Sequence, residues 1–288
     1  MTASLASGAQ PLIVIGAARS GTNMLRDLLT AVPGFATWSC DEINPIWRHG
    51  NRDHRHDELD AALATPQARS YIRRRFDRLA RRSDAHTVVE KTCANSLRIP
   101  FVDRVLPDAR YVVIERDGYD VVASALQRWC AGVDLRYTLR KARYVPATDA
   151  PAWAWRFLAL RIGHAWSDGQ ALSSWGPRFD GMDAALRDEP LARVAAMQWA
   201  RCVARTRVAV RPLPSDRVYL LSYEELVTDP RTEIGQLLTW CGVDPDSDLT
   251  GRLTATIHTD RVGHGRERLG RPTVAEIGDV VDAIGATA

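Results

Sequence analysis

Arg19, Ser20, Gly21, Thr22 and Asn23 bring a guanidinium, two hydroxyls and an amide together in one short stretch of a chain of 288 residues. Side chains of these types around a glycine suit the holding of a phosphate-like group. Lys91, Arg116 and Ser124 add two cations and a hydroxyl further along, and Asp41 and Glu42 add adjacent carboxylates. Those carboxylates can face the partner of a bound anion, or they can cap and solvate a turn. The residues alone leave both readings open.

The elements that position these groups are legible from periodicity. Leu12–Ile15 is a buried-strand run, and Met24, Leu25, Leu28 and Leu29 recur at helical spacing after a start near Ser20. A strand that meets a helix N-terminus through small residues aims the unbonded N–H groups of the first turn, and the positive end of the helix dipole, at one spot. Phe35–Trp38 and Thr87–Glu90 read as further strands, the second delivering Lys91 at its C-terminal end. Tyr111–Ile114 is a third clear strand, with Arg116 in the turn before a helix over Tyr119–Trp129 that carries Ser124. In a parallel sheet the C-terminal ends of the strands line the ligand crevice, so Lys91, Arg116 and Ser124 are expected beside the first loop.

Two familiar phosphate loops do not fit. The nucleoside-triphosphatase loop needs Gly-x4-Gly-Lys-[Ser/Thr], whereas Gly16-Ala-Ala-Arg-Ser-Gly-Thr22 keeps the glycine spacing but has Thr22 where the lysine belongs. The dinucleotide fingerprint fails at Ala18, the place of its second glycine.

Composition bounds the rest. The chain is 45% hydrophobic and 25% charged, as expected of a globular protein, and one large α/β domain accommodates its length. A net charge of +3 gives no argument for nucleic acid or an anionic membrane. Among 38 cationic side chains only Lys91 and Lys141 are lysines, which singles out Lys91. The five cysteines form no Cys-x-x-Cys pair, and reduced thiols in a cytoplasmic protein are the expectation. No run of some 18 apolar residues suggests a membrane span.

Several stretches read more plainly. His49, His54 and His56 lie in a polar tract from Arg48 to Asp60 whose interleaved arginines favour a solvated or substrate-facing loop over a metal site. Pro66–Arg82 is a basic amphipathic helix. The segment from about 130 to 190 holds Trp153, Trp155, Trp166 and Trp175 and is read as a helical insertion on the substrate side of a single domain spanning 1–288. Helices follow over Leu191–Val210, Tyr223–Val227 and Arg231–Gly242, with a last strand over Arg217–Ser222. A basic loop over Arg261–Arg271 precedes a helix over Val274–Ile284.

Taken in order, four stretches resemble the bacterial sulfotransferases that use 3′-phosphoadenosine 5′-phosphosulfate (PAPS), from about Pro11 to Ile284. They are Gly16–Leu29; Glu90-Lys91-Thr92 with the Arg116-Asp117-Gly118-Tyr119-Asp120 turn; VYLLSYEEL, from Val218; and the C-terminal basic loop. The resemblance implies an α/β fold, a central mostly parallel sheet flanked by helices in the P-loop-like sulfotransferase arrangement. It implies an enzyme that passes the sulfuryl group of PAPS to a hydroxyl or amine of a small-molecule or glycan acceptor, with no metal. In that picture Arg19, Ser20, Gly21, Thr22 and Asn23 hold the 5′-phosphate, Arg116 and Ser124 hold the 3′-phosphate, and Arg266 closes over the nucleotide. Lys91 stabilises the leaving oxygen, and Glu42 is the general base, with Asp41 or a nearby histidine as alternatives. Ala18 and Cys93 stand where relatives carry proline, and His264-Gly265 where they often carry Arg-Trp. A kinase or nucleotide hydrolase on the same sheet, and a non-catalytic nucleotide-binding protein, are the competing readings.

Overall fold

The structure is a computed structural model, and it describes residues 4–129, 175–255, 257 and 262–286. Its centre is a five-stranded sheet. The strands are β1 (Gln10–Ile15), β2 (Phe35–Ala36), β3 (Thr87–Lys91), β4 (Arg110–Glu115) and β5 (Val218–Ser222), in the order β2-β3-β1-β4-β5. Every pairing is parallel. The sheet and its flanking helices are those the sequence leads one to expect, with β2 confined to two residues.

Alternation along the strands supplies both faces of the sheet with apolar side chains. Ile13 and Ile15 of β1, Val88 of β3 and Val113 of β4 pack with Trp47, Phe76 and Phe101 on one side. Leu12 and Val14, with Val89, Val112 and Ile114, pack with Leu25, Leu29 and Leu237 on the other. The first side is covered by α3 (Pro66–Ser83) and α4 (Ile99–Val105), preceded by the short α2 (Asn44–Trp47). The second is covered by α1 (Thr22–Thr30) and by the helices that follow β5, numbered α8 (Tyr223–Thr228), α9 (Pro230–Cys241) and α10 (Ser247–Thr254). A third cluster joins α5 (Gly118–Trp129), α6 (Met182–Asp188), α7 (Leu191–Val210) and α11 (Gly265–Gly285) around Val122, Val194, Trp199 and Ile277.

Two sequence expectations change. The basic stretch from Arg261 is not a loop throughout: it is helical from Gly265, and Gly270, at φ 75° and ψ 159°, kinks α11. A glycine tolerates that backbone while the apolar positions on either side still reach the core. The tract Arg48–Asp60 is not simply solvated, because Asp57, Glu58 and Leu59 are buried. Of the proposed insertion, 130–174 lies outside the described residues, including Trp153, Trp155 and Trp166.

Candidate active site

Residues Gly16 to Gly21 leave the end of β1 and turn into α1. Gly16 sits where a Cβ would lie 2.7 Å from the Ile114 carbonyl oxygen and 2.8 Å from Thr22 Cγ2, so the loop can pass between β4 and α1 only without a side chain. Gly21 is the N-cap of α1 at φ 86°, with the Tyr223 ring where its Cβ would be. Neither requirement is met by an L-residue without displacement. Arg19 adopts φ 77°, a costly backbone for a residue with a side chain.

This geometry leaves donors waiting. No side chain caps α1 and no acidic residue occupies its first turn. Ser20 is buried, and its Oγ has no hydrogen-bond partner among the described residues. Uncapped N–H groups and an orphaned hydroxyl are what an anion with several oxygens satisfies. The Thr22 hydroxyl lies 3.6 Å from Cys93 Sγ, which ties the loop to the chain just beyond β3.

Lys91 ends β3 directly beside Val14 of β1, which precedes the loop by one residue of strand. Its side chain is 2% exposed, and Nζ lies 3.3 Å from Glu42 Oε1. The same Glu42 oxygen accepts the Cys93 N–H at 3.3 Å. Burial pulls the Lys91 ammonium down, but the Glu42 carboxylate beside it raises it above its ordinary value, so Lys91 carries its charge at neutral pH. Asp41 is differently engaged: it pairs with Arg26 of α1 at 3.2 Å. Arg26 also binds Asp27 at 2.6 Å. The two neighbouring carboxylates thus separate, Glu42 toward Lys91 and Asp41 toward Arg26.

Arg116 follows β4. Because Glu115 pairs with Ser222 on β5, the next residue on each strand meets the other, and the Arg116 guanidinium lies 4.1 Å from the Tyr223 ring centroid. Arg116 also donates to the Arg19 carbonyl at 3.2 Å and approaches Asp120 at 3.5 Å. Arg19 Nε donates to Ser124 Oγ at 2.9 Å. Arg19 therefore joins the first loop to the Arg116–Ser124 pair through both its backbone and its side chain. Arg266 lies on α11, with its guanidinium 3.6 Å from the Tyr119 ring centroid and 3.4 Å from Asp282. The adjoining segment reaches the site by another contact, the Gly263 N–H donating to Asp120 Oδ2 at 2.9 Å. Among the described residues, no hydrogen bond or ion pair places Asn23 with the other predicted residues.

Beneath Lys91 lies a buried polar network that the sequence reading does not anticipate. Glu90 Oε1 accepts from Thr92 Oγ1 at 2.5 Å, and Oε2 accepts from Asn95 at 2.8 Å. Arg98, fully buried, donates to Asn95 Oδ1 at 2.9 Å and Asn44 Oδ1 at 2.6 Å, and lies 3.6 Å from Asp57. Burial opposes charge on Asp57, yet Arg98 and Arg48 hold its carboxyl below the ordinary range. Asp57 also accepts the Arg178 N–H at 2.9 Å, and Glu58 binds Arg201 through both oxygens at 2.9 Å. The histidines of the tract take other roles: His49 stacks on Tyr71, and the His54 and His56 rings meet edge to face. Among the described residues no group of three or more His, Cys, Asp or Glu side chains is placed to hold a metal.

The uncapped head of α1, the buried Lys91 at the end of β3 and Arg116 after β4 thus share the C-terminal edge of one parallel sheet, the edge at which open α/β folds take their ligands. The chain belongs to the Sulfotransferase family, whose family model matches residues 11–169 and 169–248. In fold it is similar to the sulfotransferase domain from the curacin biosynthetic pathway (TM-score 0.57, 14% identity, covering 96% of this chain and 98% of that one). It is also similar to the sulfotransferase domain of the Synechococcus PCC 7002 olefin synthase (TM-score 0.54, 16% identity, 96% of this chain and 95% of that one). A third likeness is to sulfotransferase STF9 from Mycobacterium avium (TM-score 0.51, 16% identity, 95% of this chain and 77% of that one). No curated protein matches the chain.

Proposed function

We propose that the protein transfers the sulfuryl group of PAPS to a hydroxyl or amine of a small acceptor, with a carbohydrate or a glycosylated or lipid metabolite as the acceptor class. The observation that carries this reading is the Lys91–Glu42 pair set beside the uncapped N-terminus of α1. A cation for the leaving oxygen and a carboxylate for the acceptor proton then stand next to a site for the donor's phosphate. The residues present fit the donor: the orphaned Ser20 hydroxyl and the loop N–H groups suit its 5′-phosphate, and Arg116 with Ser124 suits its 3′-phosphate.

PAPS brings the sulfuryl group on an oxygen of its 5′-phosphate. Residues Arg19 to Thr22 hold that phosphate, which fixes the line of displacement. Glu42 takes the acceptor proton as the acceptor oxygen or nitrogen forms its bond to sulfur. The bond from sulfur to the bridging oxygen breaks, and its electron pair stays on that oxygen. Lys91, held protonated, meets the growing charge there.

The test is incubation with 35S-labelled PAPS and a panel of sugars, glycosides, lipid alcohols and phenols, followed by separation of labelled products. Acceptor-dependent label transfer is the expected result. Magnesium-dependent turnover of ATP with no label transfer would overturn the reading.

A further inference from the structure

Glu42 lies on a short connection between β2 and α2, and a side chain on such a segment needs something to aim it. Six residues do so in a ring. The Ile43 N–H donates to Thr92 Oγ1 at 3.2 Å, and that hydroxyl donates its one proton to Glu90 Oε1. Asn95 donates to Glu90 Oε2 and accepts from Arg98 Nε, and Arg98 donates in turn to Asn44 Oδ1. The ring leaves the segment at Ile43 and returns to it at Asn44, so both residues after Glu42 are anchored to the end of β3. All of Glu90, Thr92, Asn95 and Arg98 are buried, where a misplaced donor has no water to replace its partner.

We infer that Thr92 is a positioning residue for Glu42, its hydroxyl fixing the Glu42–Ile43 peptide so that the carboxylate meets Lys91 and the Cys93 N–H. The inference rests on the proposed role of Glu42 as base. The physical reason is direct. The Ile43 N–H belongs to the peptide bond that follows Glu42 Cα, and holding it fixes the backbone torsion from which the side chain departs. Glu90 sets the direction of the hold. With the carboxyl ionised, both of its oxygens accept, so the Thr92 proton is committed to Glu90 and the Thr92 oxygen is left to receive Ile43. Thr92 touches no reacting atom, and its effect passes entirely through Glu42.

Two substitutions separate this role from simple packing. Thr92→Val keeps the side-chain shape and removes the hydroxyl, whereas Thr92→Ser keeps the hydroxyl and removes a methyl group. With the acceptor found in the label-transfer screen, Thr92→Val is expected to lower kcat by roughly 10- to 100-fold, the scale on which misplaced catalytic groups act. The KM for PAPS and the Kd for 3′-phosphoadenosine 5′-phosphate should stay within about twofold, and Thr92→Ser should recover most of kcat. Wild-type kcat in Thr92→Val, or an equal loss in both variants, would overturn the inference.

Hydrogen exchange at the Ile43 amide, read by NMR on the wild-type protein, tests the hold without requiring any variant to fold. Slow exchange is expected in the wild type and faster exchange in Thr92→Val. Rapid exchange in the wild type would overturn the inference. The amide measurement does not depend on the donor, so slow exchange in a protein that moves no label from PAPS would count against the proposed reaction and not against the Thr92–Ile43 hold.

Discussion

Lys91 and Glu42, 49 positions apart in the chain, meet at 3.3 Å where β3 ends and the segment after β2 crosses it. The pairing explains how a lysine so deeply buried keeps its charge. It also distinguishes Glu42 from Asp41, which is drawn away by Arg26.

Glu42→Gln is therefore expected to reduce kcat by about 10²- to 10⁴-fold, the range over which a general base acts. Asp41→Asn should change it by only a few-fold. Steady-state kinetics on the two variants checks this, and a larger loss in Asp41→Asn would reverse the assignment.

Lys91→Met removes the ammonium and keeps the buried stem. A fall in kcat of about 10²- to 10³-fold is expected, comparable to the loss of one charge-stabilising donor elsewhere. Calorimetry with 3′-phosphoadenosine 5′-phosphate should show the nucleotide still bound, since the loop and Arg116 remain.

Arg116→Ala should weaken 3′-phosphoadenosine 5′-phosphate roughly 10- to 100-fold, the worth of a charge-assisted hydrogen bond. Binding of adenosine 5′-phosphate, which has no 3′-phosphate, should change little. Equal losses for both nucleotides would mean that Arg116 acts through the Arg19 carbonyl and the loop instead.

Glu90 gives the protein a pH signature. Burial pushes its carboxyl up to about 7 from 4.5, against the Thr92 hydrogen bond and the nearby Arg98 and Lys91 charges. A carboxyl raised by folding holds its proton in the native state where the unfolded chain has lost it. Its contribution to stability is full below about 4.5 and is lost as pH rises through about 7. The ceiling on that loss is about 3 kcal/mol. Glu90→Gln has no such proton, so the advantage of wild type over variant in urea unfolding should shrink between about pH 5 and about pH 8. A gap that widens would contradict the sign.

The parts of the site that the sequence makes legible are those carried by a contiguous strand–turn–helix unit. Gly16 to Thr22, Lys91 and Arg116 each follow an apolar run, and in a parallel sheet that placement alone brings them to one edge. Asp57, Glu58 and Arg98 escape the same reasoning because nothing local marks them. Asp57 meets Arg98 and Arg178 across long loops, and Glu58 meets Arg201 from α7. A polar tract with three histidines and several arginines looks wet until those partners are known. Tyr223 shows the same limit. The strand before it is readable, but its place against Gly21 and Arg116 follows from the pairing of β5 with β4.

The most direct test of the account is a calorimetric titration with 3′-phosphoadenosine 5′-phosphate, run beside ATP with magnesium. Micromolar binding of the first and none of the second is the predicted result. Binding of ATP with magnesium, and none of the bisphosphate, would contradict the assignment of both phosphate sites.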